Sequence, residues 1–376
     1  MMLSSAPVIR RLPPSTGPGS CSLRFISTQT LSRTSRRPCK PVCFKENTPD
    51  RIDDATIGRP SDAMPNVSAT PPRSYGLESG MSTAGLRSVN LGPVASVMYP
   101  ILTYGTLGSA AAAILAPNAV GMFLFQNTAL TAVHKMMIMC AGAALIPSVF
   151  AKRQIKRAAD SGILASPTYK QMVSACLLNG VLGLVVLSQA VSLRNPLLAA
   201  SVGGITALAT LTTSYTLMKI RESGQLAPST RGLLGGLMSL ITPSNVIAAV
   251  YSVATIALSV VGVMMFTADP STPSMLFILP KDPVFVFCSR IIGGATLANA
   301  VLLFTVKQAA DDGRQGSPAS RNITGGIASY AAITAGVLGY GLATGWAKST
   351  PPVWGLCGVM VTTALLSGFN WATAPK

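Results

Sequence analysis

Four side chains in the apolar part of this sequence have types that can bind or move charge: His134, Lys135, Arg290 and Asn299. Charged and polar groups are costly inside a lipid bilayer, so their presence within apolar segments indicates function by default. Together they predict an intramembrane polar site of cationic character, suited to an anionic solute. The competing interpretation is that the two long cations snorkel to the membrane surface, with Arg290 reaching Asp282 or Asp269 in the preceding loop.

A second candidate is a motif that occurs twice, 151 positions apart. Its two copies, residues 156–167 and 307–318, are identical at seven of twelve positions. Each copy has a lysine and an aspartate one helical turn apart, a glycine suited to ending a helix, and a Ser-Pro pair suited to starting the next. The shared residues that we single out are Lys156, Asp160, Gly162, Ser166 and Pro167 in the first copy and Lys307, Asp311, Gly313, Ser317 and Pro318 in the second. The motif predicts a turn between helices; the functional alternative is a pair of basic loops that binds an anionic head group or a protein partner.

Several catalytic and cofactor chemistries lack the residues that they need. His134 is the only histidine, which rules out bis-histidine haem ligation, and no HExxH zinc motif is present. The seven cysteines form no CxxC pair, and no acidic residue lies in the apolar segments that would relay protons. The sequence therefore predicts no cofactor and no metal, and it disfavours an enzyme.

The composition is that of a membrane protein. Hydrophobic residues make up 49% of the chain and charged residues only 11%, with a mean hydropathy of +0.48. Soluble domains carry about 25% charged residues. The net charge of +17 does not indicate nucleic-acid binding, because the basic residues lie in the N-terminal tail and between apolar segments rather than on one face.

Eight segments reach the length of about 20 apolar residues that crosses a bilayer. They lie near residues 94–116, 128–150, 172–193, 197–218, 245–267, 284–306, 323–345 and 353–373. The repeated motif aligns the first four segments with the last four. The predicted fold class is therefore all-α: a polytopic integral membrane protein with eight transmembrane helices as two tandem parallel four-helix repeats, residues 93–218 and 245–376, joined by a linker at 219–244 on the basic side.

The composition of the N-terminal region predicts targeting to an organelle. Residues 1–45 are rich in Arg and Ser and contain no acidic residue, which is typical of a transit peptide. Residues 46–92 are polar and predict a disordered tail. The abundance of Ser, Thr and Pro favours a plastid (chloroplast) membrane, with the mitochondrial inner membrane as the alternative.

Charge placement predicts the orientation in the membrane. Fourteen Lys and Arg residues flank the predicted spans on one side, whereas the opposite loops hold three: Arg194, Lys281 and Lys348. By the positive-inside rule, both termini face the stroma or the matrix.

Two classes of function fit these features. The first is a structural, assembly or interaction role in an organellar membrane, with the basic face contacting anionic lipids or membrane protein partners. The second is a passive or ligand-gated carrier or channel for a small anionic solute. We favour the first, because few polar groups lie inside the predicted helices.

Overall fold

The computed structural model describes residues 89, 91–125, 130–189, 196–225, 238–269, 276 and 282–373. The predicted transit peptide at 1–45 and nearly all of the predicted tail at 46–92 lie outside these residues. All regular secondary structure in the described part is helical.

Nine α-helices have their bounds among the described residues, and residues 238–241 are helical as well. Many of the nine begin at a proline, whose fixed φ and missing N–H suit the first helical turn. They are α1 (Gly92–Leu115), α2 (Pro117–Phe125), α3 (Ala132–Asp160), α4 (Pro167–Ser188), α5 (Pro196–Ile220), α6 (Val246–Phe266), α7 (Pro283–Asp311), α8 (Pro318–Ala343) and α9 (Pro351–Thr373). A π-helical turn, Arg221–Gln225, follows α5.

Seven of these helices are long and apolar enough to cross a membrane: α1, α3, α4 and α6 to α9. The remaining predicted span, 197–218, falls on α5, whose side chains are described only from residue 200. The count of eight spans therefore stays a prediction. The short helix α2 was not predicted; it starts where Pro117 interrupts the end of α1.

Helices α3 and α7 form the centre of the bundle. In their most apolar 18-residue windows 67% and 72% of the residues are buried, against 28% to 44% in the other five candidate spans. The two central helices contact each other, and in addition α1 packs on α3 and α6 packs on α7. Helix α8 packs on α3 and on α9, while α4 packs on α7 and on α5.

Two glycines permit close helix contacts in this core. A Cβ at Gly142 of α3 would lie 2.8 Å from the Cβ of Ala113 and 2.9 Å from the carbonyl oxygen of Ala110 in α1. A Cβ at Gly293 of α7 would collide with the backbone of α6 at Gly262 and Phe266. Small residues allow such close approach in lipid, where packing rather than the hydrophobic effect joins helices.

Both copies of the repeated motif form the predicted helix stop and restart. Gly162 and Gly313 follow the ends of α3 and α7 with φ of 73° and 66°, in the left-handed region that favours glycine. Each glycine N–H and the N–H that follows it bond back to the last helical turn, in the pattern of a Schellman motif. Ser317 accepts a hydrogen bond from the Ser320 N–H at 3.3 Å, whereas Ser166 holds the same cap position without a side-chain hydrogen bond.

Candidate functional site

His134 joins the N-terminal ends of the two central helices. Its side chain is buried, and Nδ1 accepts a hydrogen bond from the Thr131 N–H at 3.2 Å. The neutral ring must then carry its proton on Nε2, which lies 3.0 Å from the Asp282 carboxylate. Asp282 also accepts the Phe285 N–H at 2.7 Å and so caps α7. The Asp282 side chain therefore caps α7 and at the same time links α7 to α3 through His134.

The two intramembrane cations have different surroundings. Arg290 donates from Nε to the Ala268 carbonyl oxygen at 3.1 Å and from Nη1 to Gln189 Oε1 at 2.8 Å. Arg290 therefore contacts the ends of α6 and α4. Asp282, which the sequence suggested as a partner of Arg290, is bonded to His134 instead. Lys135 is half-buried on α3.

Asn299 lies at the contact between α7 and α3. It is buried and donates from Nδ2 to the Ala144 carbonyl oxygen at 2.9 Å. Nearby on α7, Thr296 lies 3.3 Å from the hydroxyl of Tyr330, and both line a cavity of about 30 Å³. That volume holds about one water molecule, so no solute path is open there.

The four predicted polar residues thus do not share one pocket. His134 and Arg290 bind different groups, and Asn299 bonds to a backbone carbonyl. None of the four lines the cavity beside Thr296 and Tyr330 or the cleft beside Lys156.

The lysine–aspartate pairs of the repeated motif are both present, in different environments. Lys307 is fully buried and lies 2.5 Å from Asp311. It also donates to the carbonyl oxygen of Ser239, and Asp311 accepts from the N–H and the hydroxyl of Ser244 at 3.0 and 2.7 Å. The chain before α6 therefore covers this pair.

The first pair is open to solvent. Lys156 Nζ lies 2.6 Å from Asp160, with side-chain exposures of 33% and 52%. The pair lines a cleft of about 330 Å³, between the start of α1 and the end of α3. The other lining residues are Val89, Leu91, Gly92, Ser96, Tyr99, Ala159 and Gly162.

Lys152 is a further functional candidate, which lies just beyond the predicted segment 128–150. Helix α3 continues through it, and only 7% of the residue is exposed. Its ammonium donates to Thr106 Oγ1 at 2.7 Å, the one hydrogen-bond acceptor that the described residues offer it. The position 151 residues later is Leu303, which is fully buried. The alignment of the sequence that the repeated motif defines, extended to this position, contains the signal: lysine in one segment and leucine in the other.

No group of three or more His, Cys, Asp and Glu side chains in the described residues is placed to hold a metal ion. Cys140, Cys176, Cys288 and Cys357 are free thiols. The arrangement therefore offers hydrogen bonds and charge rather than a ligand set for a metal.

Comparison with curated proteins finds no match to the chain. A family model described as "Domain of unknown function (DUF8292)" matches residues 102–367, from within α1 to near the end of α9. Because the match covers more than half of the sequence, the chain belongs to the DUF8292 family.

Proposed function

We propose that this protein is a multi-pass membrane protein of an organelle, foremost the plastid, with a structural, assembly or interaction role. It is built from two tandem parallel four-helix repeats, with both termini on the basic, stromal or matrix side. The observation that carries the role is the closed contact between the two halves of the bundle.

The helix contacts support the tandem repeat. Helices α3 and α7 begin 151 positions apart and each has 29 residues. Adding the same offset of 151 to the residue numbers of α4 and α5 places them on α8 and α9. A two-fold rotation that exchanges α3 with α7 and α4 with α8 therefore converts the contact of α3 with α8 into the contact of α7 with α4, and both contacts are present. Parallel repeats in a membrane are related by such an axis along the membrane normal.

A hydrogen bond between the first and last helix of each half supports the same register. The hydroxyl of Tyr99 in α1 lies 2.8 Å from Thr216 Oγ1 in α5. The hydroxyl of Tyr251 in α6 lies 3.3 Å from Ser367 Oγ in α9. Thr216 and Ser367 are 151 positions apart and the two tyrosines 152, so both repeats close through one equivalent contact.

The interior between the repeats supports a scaffold. Asn299 of α7 donates directly to the backbone of α3. His134 and Asp282 join the two halves at the predicted outer end. Gln171 of α4 donates to Gln308 of α7 at 2.6 Å on the basic side. A carrier that alternates its access must open such contacts in each cycle, whereas a scaffold keeps them closed.

One observation favours the carrier as a second candidate. Lys152 is a cation buried without a carboxylate partner, where the second repeat has leucine. Intramembrane cations without a partner mark solute paths in other membrane proteins.

Two measurements on the same preparation test the role. We expect the purified protein in sealed liposomes to conduct no anion, and the protein in mild-detergent extracts of its own membrane to migrate as an assembly of fixed composition, larger than its lipid-loaded monomer. Reversing the charge of two exposed basic-face residues, Arg153→Glu with Arg157→Glu, should dissociate that assembly. Lys348→Glu, on the predicted opposite face, serves as the control. Saturable flux of one solute by the pure protein would refute the scaffold.

The location is tested separately. Residues 1–92 fused to a fluorescent reporter should direct it into plastids. Import into mitochondria instead would select the alternative organelle, and a reporter that stays in the cytosol would refute the transit peptide.

A further inference from the structure

We propose that the cleft beside Lys156 and Asp160 is a binding site for the head group of an anionic, hydroxyl-bearing membrane lipid of the phosphatidylglycerol type. The inference rests on the membrane position of the bundle in the proposed function, and it does not depend on the scaffold role.

The second repeat indicates which groups the charged pair binds. There, Lys307 donates to a carbonyl oxygen of Ser239, and Asp311 accepts from the N–H and the hydroxyl of Ser244. Asn245 adds a bond from its side-chain amide to the Ala310 carbonyl oxygen at 3.0 Å. The occupant of this position therefore supplies an oxygen acceptor to the lysine and hydroxyl or amide donors to the aspartate.

At the aligned positions, the first repeat lacks the hydroxyl and the side-chain amide. In the register that aligns Tyr99 with Tyr251, Ser244 corresponds to Gly92 and Asn245 to Pro93. Gly92 has no side chain, and Pro93 has neither an amide side chain nor a backbone N–H. The same lysine–aspartate pair is consequently left beside a cleft of about 330 Å³, within the range of small-molecule sites.

The position of the cleft selects a lipid as the occupant. It lies where α1 begins and α3 ends, on the side of the bundle that carries the basic loops. Val94, Val97 and Ile101 follow on α1 and are 72%, 56% and 54% exposed, so an apolar surface descends from the cleft into the membrane. A phosphodiester oxygen would accept from Lys156, glycerol hydroxyls would donate to Asp160, and the acyl chains would lie along α1. Charge-assisted hydrogen bonds of this kind are about twice as strong as neutral ones.

Lys219 provides a matched control. It forms another exposed lysine–acid pair predicted on the basic side, 2.8 Å from Glu222, with side-chain exposures of 35% and 59%. These exposures are close to those of Lys156 and Asp160, but neither residue lines the cleft. General attraction of anionic lipid by basic residues would affect both pairs equally.

The experiment measures binding of defined lipids to the full-length protein in detergent by native mass spectrometry. We expect the protein to bind phosphatidylglycerol more tightly than phosphatidic acid, which lacks the glycerol hydroxyls, and more tightly than phosphatidylcholine. Lys156→Met should weaken phosphatidylglycerol binding by about tenfold, the factor that equals about 1.4 kcal/mol, whereas Lys219→Met should leave it unchanged. Equal losses in the two variants would overturn the proposal.

A second variant separates the two halves of the head group. Asp160→Asn should abolish the preference for phosphatidylglycerol over phosphatidic acid while retaining binding of both, because only the hydroxyl contacts use the carboxylate. It also keeps the test decisive if Lys156→Met fails to fold. An unchanged preference would overturn the proposal, and so would full displacement of the lipid by millimolar glycerol 3-phosphate, which would indicate a site for a soluble anion.

The outcome is distinguishable from that of the scaffold proposal. Native assembly size and liposome flux are measured on the wild-type protein and do not depend on lipid selectivity. Loss of selectivity in Asp160→Asn with an intact assembly would confirm the lipid site alone.

Discussion

The two copies of the lysine–aspartate pair allow one substitution to be compared in two environments. We expect Lys307→Met to lower the free energy of unfolding strongly and Lys156→Met to lower it little. Methionine keeps most of the length of the apolar stem but removes the charge and its hydrogen bonds. The identical spacing of the pairs on α3 and α7 excludes a difference in local helix geometry.

The magnitude follows from burial. Lys307 is fully buried, and its removal leaves Asp311, only 20% exposed, without its cation and the Ser239 carbonyl oxygen without its donor. Removing one partner of a buried pair costs about 3–5 kcal/mol, and the partial exposure of Asp311 places this pair near 3 kcal/mol. Lys156 and Asp160 form an exposed pair one turn apart, and such pairs contribute about 0.3–0.5 kcal/mol.

Thermal denaturation of both variants in the same detergent measures the difference. Intrinsic fluorescence is a suitable probe, because Trp354 and Trp371 lie in α9, which packs on α6 and α8. Lys307→Met should show the lower midpoint by a wide margin, with Lys156→Met close to wild type. Equal shifts, or a larger shift for Lys156→Met, would refute the burial argument.

Four further substitutions, one of them a control, test the core by the same assay. Gly293→Ala should destabilise the protein by about 1–3 kcal/mol through collision with the α6 backbone, while Gly108→Ala, with open space around it, should be neutral or stabilise by up to about 1 kcal/mol; similar midpoints for the two would contradict the close approach. Lys152→Leu, which introduces the residue found 151 positions later, should stabilise by about 1–4 kcal/mol, the range for replacing a buried ion pair by apolar side chains, and a lower midpoint would show that the ammonium has a stabilising partner. Asp282→Ala should cost about 1–2 kcal/mol by removing the cap of α7 and the partner of His134; no change would show that the cap contributes nothing.

The length of the apolar segments located the helices well, because a segment long enough to cross a membrane is also expected to be helical. The predicted segment 284–306 lies within α7, which runs from Pro283 to Asp311. The predicted segment 128–150 overlaps the first part of α3, which runs from Ala132 to Asp160. Hydropathy ended this prediction at the first cations, whereas the helix continues to Asp160 and is stopped by the left-handed turn at Gly162. The stop signal was visible in the motif, but its consequence for Lys152, burial within the bundle, was not.

The contacts of His134 and Arg290 could not be predicted from spacing. His134 pairs with Asp282, 148 positions away, and Arg290 with Gln189, 101 positions away. These partners meet because α3 lies against α7 and α4 against α7, and no local pattern encodes which end residues then face each other. The sequence marked these polar side chains as unusual in apolar segments. It did not identify the groups that they contact, which are a helix cap for His134 and the ends of α4 and α6 for Arg290.

Identical residues in the two copies of the motif have different roles because their neighbours differ. Lys307 and Asp311 hold the chain before α6 in place, since the N–H and the hydroxyl of Ser244 donate to the Asp311 carboxylate. Gly92 and Pro93, which precede Tyr99 by the same spacing as Ser244 and Asn245 precede Tyr251, carry no hydroxyl, so we propose that the first pair binds an external ligand instead. The motif itself therefore specifies a turn with a charged pair, and the residues facing it decide whether the pair stabilises the fold or binds a ligand.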